Sequence, residues 1–72
     1  SVQDDFDLKE CTEKVKSFLM MAEFKDLNQE MKESIVAFLL IYEKLQQSKE
    51  SIGDISNISV NIEEVNKYLS EL

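Results

Sequence analysis

Ile35-Val36-Ala37-Phe38-Leu39-Leu40-Ile41-Tyr42 is an unbroken apolar run in a chain of only 72 residues. It is far shorter than the ~20 residues that cross a bilayer, so it is no membrane span. Taken alone it would suit a buried strand, because Ile, Val, Phe and Tyr favour extended backbone. The flanks decide otherwise. Leu27-Asn28-Gln29-Glu30-Met31-Lys32-Glu33 precedes it and Glu43-Lys44-Leu45-Gln46-Gln47 follows, both rich in straight-chain helix formers and free of Gly and Pro. The run therefore predicts the middle of a helix over residues 27–48.

On a helical wheel, Leu27, Met31, Ile35, Phe38, Tyr42 and Leu45 share one side, at spacings of three and four. That is the face expected to meet a core or a helical partner. Val36, Ala37, Leu40 and Ile41 point elsewhere, among Glu33, Lys44 and Gln47. A helix that is apolar nearly all round needs cover on more than one side. Its length adds to this: about 23 residues measure roughly 35 Å, whereas a compact monomer of this size is roughly 29 Å across. The helix would overhang its own domain, which favours a dimer or a larger assembly.

Working outward, Asp7 and Glu10 have the spacing of a capping box. A first helix is expected over about 8–23, with an apolar stripe of Leu8, Cys11, Val15, Phe18, Leu19 and Ala22. Met20, Met21 and Phe24 leave that stripe. No Gly or Pro marks the next break, and a second capping box at Asp26–Gln29 places the turn at about 24–26. A continuous helix from Leu8 onward is the alternative. Beyond the central helix, Gly53 is the only glycine and a natural stop. Residues 51–59 read as a linker, with Ile52, Ile55 and Ile58 laid over the core. Asn61 and Glu64 form a third capping box, Val60 and Val65 the two ends of a hydrophobic staple. The last helix, about 62–71, has Ile62, Val65, Leu69 and Leu72 as its stripe with Tyr68 alongside. The expected fold is all-α: one domain over 1–72, a small three-helix bundle with a long central helix, completed by oligomerisation or a partner helix.

Composition removes much chemistry. The chain has 15 acidic and 8 basic residues, a net charge of −7. The acids crowd the two ends, at Asp4, Asp5, Asp7 and Glu10 and at Glu63, Glu64 and Glu71. Such a balance argues against binding nucleic acid or anionic lipid. One cysteine and no histidine leave no internal disulfide, no Cys/His zinc site and no histidine-dependent acid–base catalysis. Cys11 lies on the apolar stripe and reads as a buried structural thiol. Glu63 and Glu64, adjacent on a helix, point apart and suit the positive end of the helix dipole. Asn57-Ile58-Ser59 matches the glycosylation sequon, but nothing else signals secretion. No catalytic, cofactor or metal site is expected, and the chain is not read as an enzyme. It begins at Ser1 without an apolar leader, from which an excised intracellular domain, cytoplasmic or nuclear, is expected.

The function expected is protein–protein association, as a regulatory or scaffold domain. The second face of the central helix, Val36, Leu40 and Ile41, would lie against a partner helix, with Met20, Met21 and Phe24 as an extension. The partner is self or another helical chain, in a homodimer or hetero-complex. Two other readings stand beside this one. Glu33-Ser34-Ile35-Val36-Ala37-Phe38, with Ile62-Glu63-Glu64-Val65-Asn66-Lys67-Tyr68-Leu69, resembles the acyl and peptidyl carrier domains. That resemblance implies Ser34 as the attachment point of a phosphopantetheine arm, although Glu33 stands where the family has Asp and the preceding Gly is missing. The last reading is an acidic inhibitor that mimics nucleic acid. It requires carboxylates aligned on one face, and here they gather at helix starts.

Overall fold

The computed structural model describes residues 7–50 and 58–72, with the backbone alone over 48–50. Helices α1 (Leu8–Leu19), α2 (Ala22–Lys25), α3 (Gln29–Glu50) and α4 (Ile62–Ser70) make an all-helical bundle around the long α3. Gly53, Ile52, Ile55 and Asn57, read above as linker, stop and sequon, lie outside the described residues. The central helix is expected and found. Its 22 residues correspond to about 33 Å at 1.5 Å each, close to the 37 Å longest dimension of the fold.

The helix starts follow the capping chemistry. Asp7 Oδ1 accepts from the amides of Lys9 and Glu10 at 3.1 and 3.2 Å, filling two of the orphan donors that every helix start exposes. At α4 both halves of the capping box form. The Glu64 amide donates to Asn61 Oδ1 at 2.9 Å, and the Asn61 amide to Glu64 Oε2 at 3.3 Å. Val60 packs against the core cluster that contains Val65, as a staple requires.

The first break is where the structure corrects the sequence reading. The first helix ends at Leu19, not near residue 23; a break at 20–21 follows it, and the turn expected at about 24–26 is present as a second one, with the Leu27 amide donating to the Phe24 carbonyl at 3.1 Å. Met21 is extended, at φ −91° and ψ 153°, and α2 is a single turn after it. The central helix is capped by Asn28 rather than Asp26: its Oδ1 accepts from the Met31 amide at 2.8 Å, and its carbonyl from the Lys32 amide at 3.1 Å. Nothing in the chemistry of Met20 or Met21 announces the break. What it achieves is burial of Phe24, which is only 2 % exposed and meets Phe18 edge-on, ring centroids 5.9 Å apart. A continuous helix would carry Phe24 past this position.

The core is Leu19, Phe24, Val36, Leu39 and Val65, one or two residues from each helix. Leu19 and the α3 residues Gln29 and Lys32 border one hollow, whereas Cys11 and Tyr42 border another. The end of α1 therefore sits beside the start of α3, and the two run antiparallel. Leu69 and Leu72 join the first hollow and Glu64 reaches Lys44, so α4 also runs antiparallel to α3.

Candidate association surface

The central helix turns to the core a face that differs from its most regular apolar stripe. On α3, Val36 and Leu39 are fully buried, at 0 % exposure, while Phe38 is 58 % and Met31 50 % exposed. Val36 is therefore core, not a partner contact. On α1, the buried positions are Leu8, Thr12 and Leu19; Cys11 and Val15 are half-buried. Thr12 takes an inward place because its hydroxyl donates to the Lys9 carbonyl at 2.8 Å, so that hydroxyl is not buried unpaired. The expected stripe already holds Leu8 and Leu19, which are buried, and Val15 and Phe18, which pack against the core; Thr12 is the inward residue it lacks.

The outer edges of the two stripes meet. Cys11 and Val15 from α1, with Ile35, Phe38 and Tyr42 from α3, line an open groove of about 270 Å³ whose walls are almost wholly apolar. Met31 continues the line one turn toward the α3 start. The α1–α3 packing that frames the groove is reinforced by Lys16, whose Nζ lies 3.0 Å from Glu43 Oε2. That hydrogen bond and the charge of Glu43 raise the Lys16 pKa above its ordinary value. On the other flank, Lys44 Nζ donates to the Ser59 carbonyl at 2.6 Å and to Glu64 Oε1 at 2.9 Å. The hydrogen bond from Lys44, and then the Asn61 amide, hold the Glu64 carboxyl below its ordinary pKa.

The residues expected to bind a partner separate into three groups. Val36 and Phe24 are consumed by the chain's own core. Leu40 and Ile41 are half-buried, and Leu40 packs against the core cluster. Met20 and Met21 remain open, at 72 % and 50 % exposure. The line Leu27, Met31, Ile35, Phe38, Tyr42, Leu45, expected to face a core or a helical partner, holds the groove residues that the partner assignment left out. Its signal was the alternation of three and four itself.

For the other chemistries, Ser34 is the sixth residue of α3, and its hydroxyl donates back to the Glu30 carbonyl at 3.1 Å. It is exposed but sits inside a helix rather than at its start. Cys11 is a half-buried free thiol. Among the described residues, no helix is long and apolar enough to cross a membrane, and no group of three Cys, Asp or Glu converges on a point. Set beside known proteins, the chain matches no family model, no curated protein and no solved structure.

Proposed function

We propose that the protein is an association module that takes an apolar helix against the outward face of α3. The reading shifts the contact from Val36, Leu40 and Ile41 to Met31, Ile35, Phe38 and Tyr42, with Cys11 and Val15 as the near wall. One observation carries it: Met31 and Phe38 of the heptad-spaced face of α3 stand exposed to solvent, and Phe38 also lines an apolar groove. Water against such a strip is costly, by roughly 25 cal/mol for each Å² of apolar surface. A helix with its own apolar stripe removes that cost, and its polar face stays wet. The chain has no histidine, and among the described residues no group of three Cys, Asp or Glu converges on a point.

The test is a pair of titrations followed by amide NMR, one of the chain with itself and one with a helical peptide carrying apolar residues at heptad spacing. Shifts are expected at Cys11, Val15, Ile35, Phe38 and Tyr42 in at least one of them. Phe38→Glu should abolish them while leaving the circular dichroism spectrum and melting temperature close to the parent's. Shifts that survive Phe38→Glu, or that arise in neither titration, would end the reading.

A further inference from the structure

We infer that the hollow bordered by Leu19, Phe24 and Leu69 binds a small organic anion with an apolar body, of which a short fatty carboxylate is the simplest. The site shares no residue with the Phe38 groove and does not depend on the association reading. All four helices build it. Leu19, Phe24, Leu69 and Leu72 supply apolar walls, and Lys25, Gln29 and Lys32 the polar ones. Leu19 and Phe24 are each 2 % exposed and fixed in the core, so this part of the wall is formed before any ligand arrives. The hollow measures about 310 Å³, the small end of the roughly 300–1,000 Å³ over which ligand sites range. Apolar walls with a few placed polar groups are the usual make-up of such sites.

The lining sets the sign of the ligand. Acids outnumber bases 15 to 8 in the chain, yet two lysines and no acid line this hollow. Lys14, Lys16 and Lys44 each lie 3.4 Å or less from a glutamate, whereas Lys25 and Lys32 pair with no carboxylate among the described residues. Lys32 is half-buried in that state. Glu33, its neighbour in sequence, accepts instead from Gln29 Nε2 at 3.2 Å. An acid whose carboxylate stays at the lysines and whose body covers Leu19, Phe24 and Leu69 gives those cations a counter-charge and removes apolar wall from water. The net charge of −7 repels anions from afar, but salt screens that repulsion beyond about 8 Å, and the lysines act at the site itself. The Phe38 groove has almost wholly apolar walls and no cation, so it offers the same acid no counter-charge.

Amide NMR of the intact chain titrated with octanoate, kept below its micelle concentration, should show saturating shifts at Lys25, Gln29, Lys32 and Leu69. Octanol has the same body without the charge and should bind at least about tenfold more weakly, the usual loss when a charged hydrogen-bond partner is removed. Inorganic phosphate has charge without a body and should not saturate the site. Lys25→Gln combined with Lys32→Gln should weaken octanoate by a similar factor and leave octanol unchanged. Both side chains can change without opening the core, and Lys25→Arg with Lys32→Arg, which keeps the charge, should retain binding. Equal affinity for octanol and octanoate, or octanoate shifts that survive the glutamine pair, would overturn the assignment of an anion. Phosphate binding as tightly as octanoate would overturn the apolar body. Saturation only at Cys11 and Phe38, or none anywhere, would overturn the site.

Discussion

Val36 and Leu39 lie on one side of α3 and Phe38 on another; the three are close in sequence and comparably apolar. The first two are wholly buried, whereas Phe38 is 58 % exposed. Hydrophobicity does not separate them. What separates them is what lies opposite. Leu19, Phe24 and Val65 converge on the Val36–Leu39 side, and only the edge of α1, at Cys11 and Val15, approaches the Phe38 side. The inner face of α3 holds the fold together, and the outer face is left to meet something else.

The largest effect that would break this contrast belongs to the inner face. Leu39→Ala should cost about 2 to 5 kcal/mol, the lost transfer energy plus the cavity it leaves. At about 4–8 °C per kcal/mol for a domain this small, the melting temperature should fall by at least about 8 °C. A thermal melt of the two proteins measures it, and a shift within the noise would mean that Leu39 is not core. Phe38→Ala, by contrast, should change the monomer's stability by less than about 1 kcal/mol, because an exposed ring leaves no cavity. Its effect should appear in association instead. A melting loss as large as that of Leu39→Ala would erase the distinction between the two faces.

Smaller effects sharpen how the flanking helices are held. Asn61→Ala removes one half of the α4 capping box and should destabilise by about 1 kcal/mol, read from urea unfolding. The smallest effect is a pH dependence. Glu64 titrates below its ordinary value because Lys44 and the Asn61 amide favour its charged form. A group whose folded pKa is depressed contributes stability that is complete above its unfolded value, about 4.3 for Glu, and is lost as pH falls through the folded value. Melts of the parent and Glu64→Gln should therefore differ near neutral pH and converge under acid. A constant gap down to the lowest pH would show that the charge is not responsible.

Much of the fold was legible along the chain. The flanks of the apolar run marked α3, because straight-chain helix formers without Gly or Pro leave the backbone no cheaper choice. Asp7 and Asn61 marked the starts of α1 and α4, because capping is a local hydrogen bond between a side chain and amides two or three residues away. The break after Leu19 was not legible. Met20 and Met21 carry no turn chemistry, and the chain bends there so that Phe24 reaches Phe18 and the core. The inward face of α1 was legible in Leu8, Val15, Phe18 and Leu19; it lacked only Thr12, whose hydroxyl is satisfied within its own helix. On α3 the regular stripe was found, but of the face assigned to a partner, Val36, Leu40 and Ile41, the core took Val36 and draws Leu40 against it.

The order of residues thus determined which segments are helical, where α1 and α4 begin, and that the chain lacks the histidine and paired cysteines on which many sites depend. It also placed the heptad-spaced stripe on α3. Only the tertiary structure decided how far each helix is rotated about its axis. Periodicity gives the angles between side chains on one helix, which are local. It leaves the rotation of the whole helix open, and that is settled by which rotation lets Leu19, Phe24, Val36, Leu39 and Val65 pack together at once.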